Sequence, residues 1–374
     1  MIETIGVIGG GQLGRMMALD AKRMGYYVVT LDPGVHSPCG QVSDAQIVAQ
    51  YDDLVAIAKL GEQTDVVTYE FENISIEAVH HLERSGYYVA PSSDVLRITQ
   101  NRILEKQFVR DCGIAVAPFA EVGNLENLRT AEQDVGFPAV LKTVVGGYDG
   151  KGQWVVQDAH GAGEAFSAGK GQPLIFEQHI AFDKELGIVC TRNAKNEVVV
   201  YPVTENVHDR GILTTTVAPA RIADHIAAQA ADIAENIAIR LAIVGTFCVE
   251  FFLTGAGELL VNEIAPRPHN SGHYTIDATR CSQYEQHIRA ICGLPLAAPK
   301  LFSKAVMMNI LGQGNGNHLT GVPSLLSDPA IVLHMYGKKH AVERRKMGHF
   351  TLLTDDLVEG TSRAKDALAL LSWH

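Results

Sequence analysis

Residues 2–32 constrain this chain more tightly than any other stretch. Ile2 to Gly9 is a short apolar run bounded by glycine, which reads as a buried strand. It opens directly into Gly9-Gly10-Gly11-Gln12-Leu13-Gly14, and a helical pattern follows to about Met24. A second strand, Tyr27 to Leu31, ends at Asp32. Strand, glycine turn, helix, strand and acid is the dinucleotide-binding order, so an NAD-dependent oxidoreductase is one reading. The other is that the same turn and helix N-terminus hold a substrate phosphate. A further βα unit is expected around Asp65–Glu72. There Glu70 and Glu72 sit at the C-terminal end of a strand, the edge where ligands bind in open α/β sheets. Period-2 spacing puts both on one face, with Phe71 opposite. The plainer alternative is that one of them caps the next helix.

Composition narrows the class. At 374 residues the chain is long enough for two or three domains, and it is 47% hydrophobic and 20% charged. No apolar run approaches the roughly 20 residues of a membrane span, and the N-terminus lacks a basic region followed by a cleavage site. The expectation is therefore a cytoplasmic enzyme with no membrane contact. Cys39, Cys112, Cys190, Cys248, Cys281 and Cys292 show no CxxC spacing, which suits buried thiols better than disulfides or a zinc site. A formal charge of −11 argues against nucleic acid as a partner but not against one phosphorylated small molecule.

Pro91-Ser92-Ser93 marks a first boundary, and one helix is expected from about Asp94 to Cys112, carrying Asn101, Arg102 and Lys106. The pattern then changes to strands and helices with hairpin turns. Three regions are expected: a Rossmann-like α/β domain over 1–93, an α+β domain over 94–298, and a small β-rich domain over 299–374. Within the second, an apolar strand from Ala139 delivers Lys142 and runs into Gly146-Gly147-Tyr148-Asp149-Gly150-Lys151-Gly152 before a second strand leaves through Trp154. Four glycines in seven positions let backbone N–H groups approach a ligand, and two lysines suit a polyphosphate. A flexible hairpin turn with incidental lysines is the bland alternative. Leu174–Ile180 reads as a strand ending in polar groups, and Asp183–Leu186 is expected to precede another strand. The alanine-rich helix Asp224 to Leu241 reads as scaffold.

Chemistry is most exposed in Thr246 to Arg267. Two apolar strands flank a glycine turn, so the segment reads as a β-hairpin with Glu250 facing Glu263, give or take one register step. Opposed carboxylates among apolar neighbours destabilise a sheet unless a cation lies between them. Mg²⁺ suits that place, with Asn262 as a neighbouring polar ligand. A carboxyl pair sharing one proton, or meeting arginines, is the alternative. Downstream, Pro266 to His273 forms a cation-bearing loop in which Arg267 could hold carboxylate, bicarbonate or phosphate oxygens in a fork, and His269 and His273 are substrate contacts at best.

Taken together, the lysine strand, the glycine loop, the strand ending in Glu177-Gln178-His179-Ile180 and the Glu250/Asn262-Glu263 hairpin resemble the ATP-grasp superfamily. Within it, Gly9–Arg15, Thr68–Asn73, Gly146–Trp154, Ala265–His273 and Arg345–His349 are similar to the N5-carboxyaminoimidazole ribonucleotide synthetases of purine biosynthesis. That resemblance implies two ATP-holding subdomains in the central domain and usually a homodimer. It implies that Arg102, Lys142 and the loop Gly147, Tyr148, Asp149, Gly150, Lys151, Gly152 and Gln153 hold the ATP phosphates. Glu177, Gln178, His179, Ile180 and Glu185 would hold adenine and ribose, with His208 nearby. Glu250 and Glu263, with Asn262, would carry two Mg²⁺ ions. Arg267 would stabilise carboxyphosphate made from bicarbonate. Tyr148, Asp149 and Lys338 would serve the imidazole and carboxyl transfer. Gln12, Glu72, Asn270, His273, Arg345 and Lys346 would bind the aminoimidazole ribonucleotide. A formate-dependent glycinamide ribonucleotide transformylase would share the ATP site and differ in these last groups. The chain departs from the family pattern at Val342-Glu343-Arg344, where a turn like Arg-Pro-Gly is usual, and at Asn101, where Asp is usual.

Overall fold

A computed structural model describes residues 2–147, 152–314 and 316–374. The N-terminal apolar runs form a parallel four-stranded sheet, ordered Ala45–Ile47, Tyr27–Leu31, Thr4–Ile8 and Val66–Tyr69. Thr4–Ile8 lies between its sequence successor and Val66–Tyr69, so strand order reverses beside it and a crevice opens at the carboxyl edge. Helix Gln12–Arg23 lies on one face; its apolar side, with Met16, Met17, Ala18 and Ala21 buried, packs toward helix Gln283–Ile291. The short strand Ala45–Ile47 and helix Leu54–Glu62 extend this unit beyond what periodicity indicated.

Where one helix was expected over 94–112, there are two, Ser93–Gln100 and Arg102–Asp111. Asn101 between them has φ −109° and ψ 106°, outside the helical region, and its side chain accepts the N–H groups of Ile103 and Leu104. Asparagine caps a helix as well as aspartate does, so the departure at this position keeps its structural job. The break re-aims the second helix at the sheets beyond it.

Those sheets are two. A four-stranded antiparallel sheet is ordered Phe119–Val122, Leu174–Gln178, Ala139–Thr143 and Gln153–Val156, and helices Leu125–Asp134 and Ala159–Ala168 pack with it. A nine-stranded sheet runs Leu259–Ala265, Gly245–Thr254, Phe182–Arg192, Thr204–Asp209, Ile212–Ala218, Lys304–Leu311, Lys346–Thr354 and Ile331–Met335, with Val198–Val200 paired to Phe182–Arg192. Asp183–Leu186 therefore belongs inside a long strand, where pairing to its neighbours overrides its local polarity. Most strands after residue 299 continue this sheet through the Ile212–Ala218/Lys304–Leu311 ladder, while Leu319–Thr320 and Ser372–Trp373 pair in a small two-stranded sheet of their own. Helix Asp224–Arg240 buries Ala230, Ala234, Ile237 and Ala238 against the large sheet, in keeping with a scaffold role. All six cysteines are free thiols.

Candidate active site

The first glycine turn is filled by the protein itself. Glu70 accepts hydrogen bonds from the N–H groups of Gly11 and Gly14, the latter at 2.8 Å, and Asp32 accepts from Gly10 N at 2.8 Å. A Cβ on Gly9 or Gly11 would lie 2.4 Å from Glu70 atoms, so glycine is what admits this carboxylate. Burial raises the Glu70 pKa, and the two amides only partly offset it. The amides that would face a dinucleotide pyrophosphate thus face Glu70 and Asp32, which leaves the NAD reading without its anchor. Glu70 does bond the N-terminal amides of a helix, but the helix is Gln12–Arg23; the next helix after Glu70 is capped by Ser75. Glu72 parts company with it and meets Arg267.

Beyond this turn a cavity of about 680 Å³ lies between the N-terminal unit, the small sheet and the large sheet. Its cationic end is built by Lys142 from the small sheet and by Arg102 and Lys106 from one helix face. Lys142 Nζ and Lys106 Nζ lie 2.9 and 3.2 Å from the same Glu177 oxygen. Burial opposes the charge on Glu177, yet the two ammonium groups hold its pKa at about 2. Burial likewise pulls Lys142 below the usual lysine range. Arg102 donates to the carbonyls of Thr143 (3.1 Å) and Gly147 (2.9 Å), fixing the entry to the glycine loop. Gln153, Gln178, His179 and Ile180 line the adjoining wall, where Phe182 stacks on Phe252 at 4.7 Å between ring centroids. Glu185 and His208, 2.8 Å apart, complete it. Burial alone would lower the His208 pKa, but the bond to Glu185 and the charge of Glu250 raise it.

The acidic end is the hairpin. Glu250 pairs directly with Glu263, in the expected register; a bulge between Glu250 and Phe251 shifts the ladder toward the turn by one residue. Glu250 is 8% exposed, and its Oε1 is buried without a hydrogen-bond partner. His269 Nε2 lies 3.5 Å from that oxygen. Burial and then Arg267 hold His269 well below the usual histidine range, so it brings no positive charge. Burial, and next the charge of Glu263, push the Glu250 pKa up to about 7. An orphaned buried carboxylate oxygen opposite a second carboxylate, with Asn262 beside it, is a donor set that fits a hard divalent cation. Glu105 adds a third carboxyl, pushed to about 8 by burial and by Glu263.

Between these ends, Arg267 grips Glu72 with both arms of its guanidinium, one contact measuring 3.0 Å. Burial opposes both charges, but each partner outweighs it, lowering the Glu72 pKa and raising that of Arg267. Gln12, Asn270 and Lys346 also face the cavity. Four expected groups stand elsewhere. His273 is fully buried: the short 3-10 turn Asn270–Gly272 carries it into the core, against the Tyr284 hydroxyl (2.9 Å) and the His349 ring. Arg345 is exposed away from the cavity wall, because the Val342–Arg344 segment docks outward through an Arg344–Asp209 ion pair at 2.9 Å. Lys338 Nζ donates to the Lys346 carbonyl at 2.7 Å and is not among the described residues that line the cavity. Gly152 supports the loop base, where its carbonyl accepts Thr143 N. Tyr148, Asp149, Gly150 and Lys151 lie outside the described residues.

The sequence reading missed Glu105, Phe182 and Phe252 and gave Lys106 no role. The available signal was the polar i, i+3, i+4 spacing of Arg102, Glu105 and Lys106 on a helix whose Ile103 and Val109 are buried.

Comparison with known proteins agrees with this layout. Residues 2–100 match the ribonucleotide synthetase preATP-grasp domain, 107–284 the ATP-grasp domain, and 305–363 the phosphoribosylaminoimidazole carboxylase C-terminal domain. The N5-carboxyaminoimidazole ribonucleotide synthase of Bacillus subtilis (strain 168) is 46% identical over 350 residues, 94% of this chain and 91% of that one. A crystal structure of an N5-carboxyaminoimidazole ribonucleotide synthetase in complex with ADP is 46% identical and superposes with a TM-score of 0.93, covering 98% of this chain and 96% of its own. The Aspergillus clavatus N5-carboxyaminoimidazole synthase, solved with ADP and 5-aminoimidazole ribonucleotide, is 32% identical with a TM-score of 0.91, covering 98% of both chains. This chain belongs to the N5-carboxyaminoimidazole ribonucleotide synthase family of ATP-grasp ligases.

Proposed function

We propose that the protein uses ATP and bicarbonate to carboxylate the exocyclic amine of 5-aminoimidazole ribonucleotide, a step of purine biosynthesis. The observation that carries this reading is one cavity with a cationic end at Lys142, Lys106 and Arg102 and an acidic end at Glu250 and Glu263. A nucleotide triphosphate needs both, cations for its phosphates and carboxylates for the accompanying metal.

In this reading Arg102, Lys142 and the loop Gly147–Gln153 hold the phosphates. Glu177 is engaged by two lysines, so the purine is met chiefly along Gln178–Ile180, with Phe182 and Phe252 beside it and Glu185 and His208 at the ribose. Glu250 and Glu263, aided by Asn262, would hold Mg²⁺, which supplies charge neutralisation at the phosphates. A bicarbonate oxygen attacks the γ-phosphorus and ADP leaves, forming carboxyphosphate. The amine nitrogen then attacks the carboxyl carbon, phosphate departs with the C–O electron pair, and the amine loses a proton. Arg267 stands between the two ends of the cavity, where its guanidinium can stabilise the anionic carboxyl phosphate, while its Glu72 partner keeps it oriented. Gln12, Asn270 and Lys346 face the space left for the ribonucleotide, and Lys346 supplies a cation for its phosphate. Tyr148 and Asp149 keep the roles the resemblance implies, and Lys338 acts from beside Lys346, whose carbonyl it holds. The free thiols suit a reducing cytoplasm, and a two-fold homodimer is the commonest assembly for such an enzyme.

The test is ADP release with Mg²⁺ and bicarbonate, with and without 5-aminoimidazole ribonucleotide. A sharp rise only with the ribonucleotide is expected. Hydrolysis indifferent to it, or driven by another amine, would overturn the substrate assignment.

A further inference from the structure

Helix Arg102–Asp111 presents Arg102, Glu105 and Lys106 on one face, at i, i+3 and i+4. Each reaches a different part of the site. Arg102 holds the carbonyls of Thr143 and Gly147 at the glycine loop. Glu105 accepts the backbone N–H of Ile264 at 2.6 Å. Lys106 donates to the backbone carbonyl of Asn262 at 3.4 Å and pairs with Glu177 at 3.2 Å. Ile264 and Asn262 are the residues on either side of Glu263.

Glu105 and Lys106 are 3% and 2% exposed, so neither is an incidental surface contact. A buried carboxyl and a buried ammonium are costly to keep unless their contacts repay the burial. Strand Leu259–Ala265 is an edge of the large sheet, and its inner neighbour Gly245–Thr254 shifts register next to Glu250. The ladder on that side is therefore interrupted at the glutamate pair, and a bulged edge strand needs another hold to keep its side chains aimed.

We propose that Glu105 and Lys106 are positioning residues that bracket the backbone on both sides of Glu263 and so fix this carboxylate opposite Glu250. The bracket makes one rigid helix the common reference for the phosphate-facing Arg102 and the cation-facing Glu263. It rests on the reading of Glu250 and Glu263 as the divalent-cation pair.

The experiment measures Mn²⁺ affinity by electron paramagnetic resonance at saturating ADP, ADP affinity without metal by calorimetry, and melting temperature, for the full chain and its variants. Glu105→Ala removes the acceptor for Ile264 N–H; Mn²⁺ affinity should fall about tenfold while metal-free ADP affinity stays within about twofold. Glu105→Gln keeps an acceptor oxygen, and Mn²⁺ affinity should return to within about threefold of the parent. Parent-like Mn²⁺ affinity in Glu105→Ala, whatever its melting temperature, overturns the bracket, as does a Glu105→Gln protein as weak as Glu105→Ala. Should Glu105→Ala not fold, Lys106→Met reads the other arm: a severalfold loss of Mn²⁺ affinity supports the proposal and parent-like affinity overturns it. Glu263→Gln separates the two levels. If it leaves Mn²⁺ affinity unchanged, the cation reading itself fails; if it weakens Mn²⁺ binding and Glu105→Ala does not, only the bracket fails.

Discussion

The chain carries two glycine-rich turns, each leaving an apolar strand, and the described residues around them differ in charge. At Gly9–Gly14 the inward amides are taken by Glu70 and Asp32, so the turn is closed by its own sheet. At the base of the second turn, Lys142, Lys106 and Arg102 gather at the cavity wall, with Glu177 as the carboxylate between the two lysines. Glycine supplies room for the close approach of Glu70 at Gly9 and Gly11. The described neighbours differ: carboxylates at the first turn, cations at the base of the second. A glycine signature therefore reports backbone freedom, and the charge across from it reports the ligand.

This contrast can be broken experimentally. The largest effect is expected from Lys142→Ala, which removes a cation of the proposed phosphate site. kcat/KM for ATP should fall by about two to three orders of magnitude, with the fold kept as judged by circular dichroism. A change under about threefold would mean the second turn is not the phosphate site.

A smaller effect concerns the carboxylates. Glu70 is answered by amides, whereas Glu250 Oε1 is buried without a hydrogen-bond partner and opposite Glu263. With its folded pKa near 7, above the ordinary value of 4.5, Glu250 favours the native state fully below about pH 4.5, and that contribution is lost as pH rises through 7. The metal-free protein should lose on the order of 3 kcal/mol between pH 5 and pH 8 from this group, together with a loss of the same sign from Glu105. Urea unfolding at the two pH values should show a flatter dependence in Glu250→Gln. Equal slopes in parent and variant would remove the raised pKa from the account.

The smallest effect sharpens the first turn. Gly11→Ala puts a Cβ 2.4 Å from Glu70 Oε1 and should cost about 1–3 kcal/mol of stability, read by thermal melting. Nicotinamide dinucleotides should leave the melting temperature of the parent unchanged, because the amides they need are occupied. A shift on adding NAD would reopen that reading.

Much of this was legible in residue order. The parallel strand of Thr4–Ile8, the hairpin placing Glu250 across from Glu263, and Lys142 ahead of a glycine loop all follow from local periodicity and turn chemistry. The break at Asn101 was not, because a capping side chain inside an apolar helical pattern leaves the period intact. His273 and Arg345 show the same limit. Each stands next to or near a cavity residue in sequence, yet a single turn of backbone sends one into the core and the other to solvent.

The sequence by itself indicated most of the elements, the fold class and most of the charged groups that line the cavity, because strand alternation, glycine turns and charge type are properties of neighbouring residues. Only the tertiary structure decided that the first glycine turn is closed by its own sheet, which histidine of the Pro266–His273 loop reaches the cavity, and that Glu105 and Lys106 flank Glu263. Those depend on contacts such as Glu70 with Gly11 and Glu105 with Ile264, 59 and 159 positions apart, and no local pattern encodes a pairing at that distance.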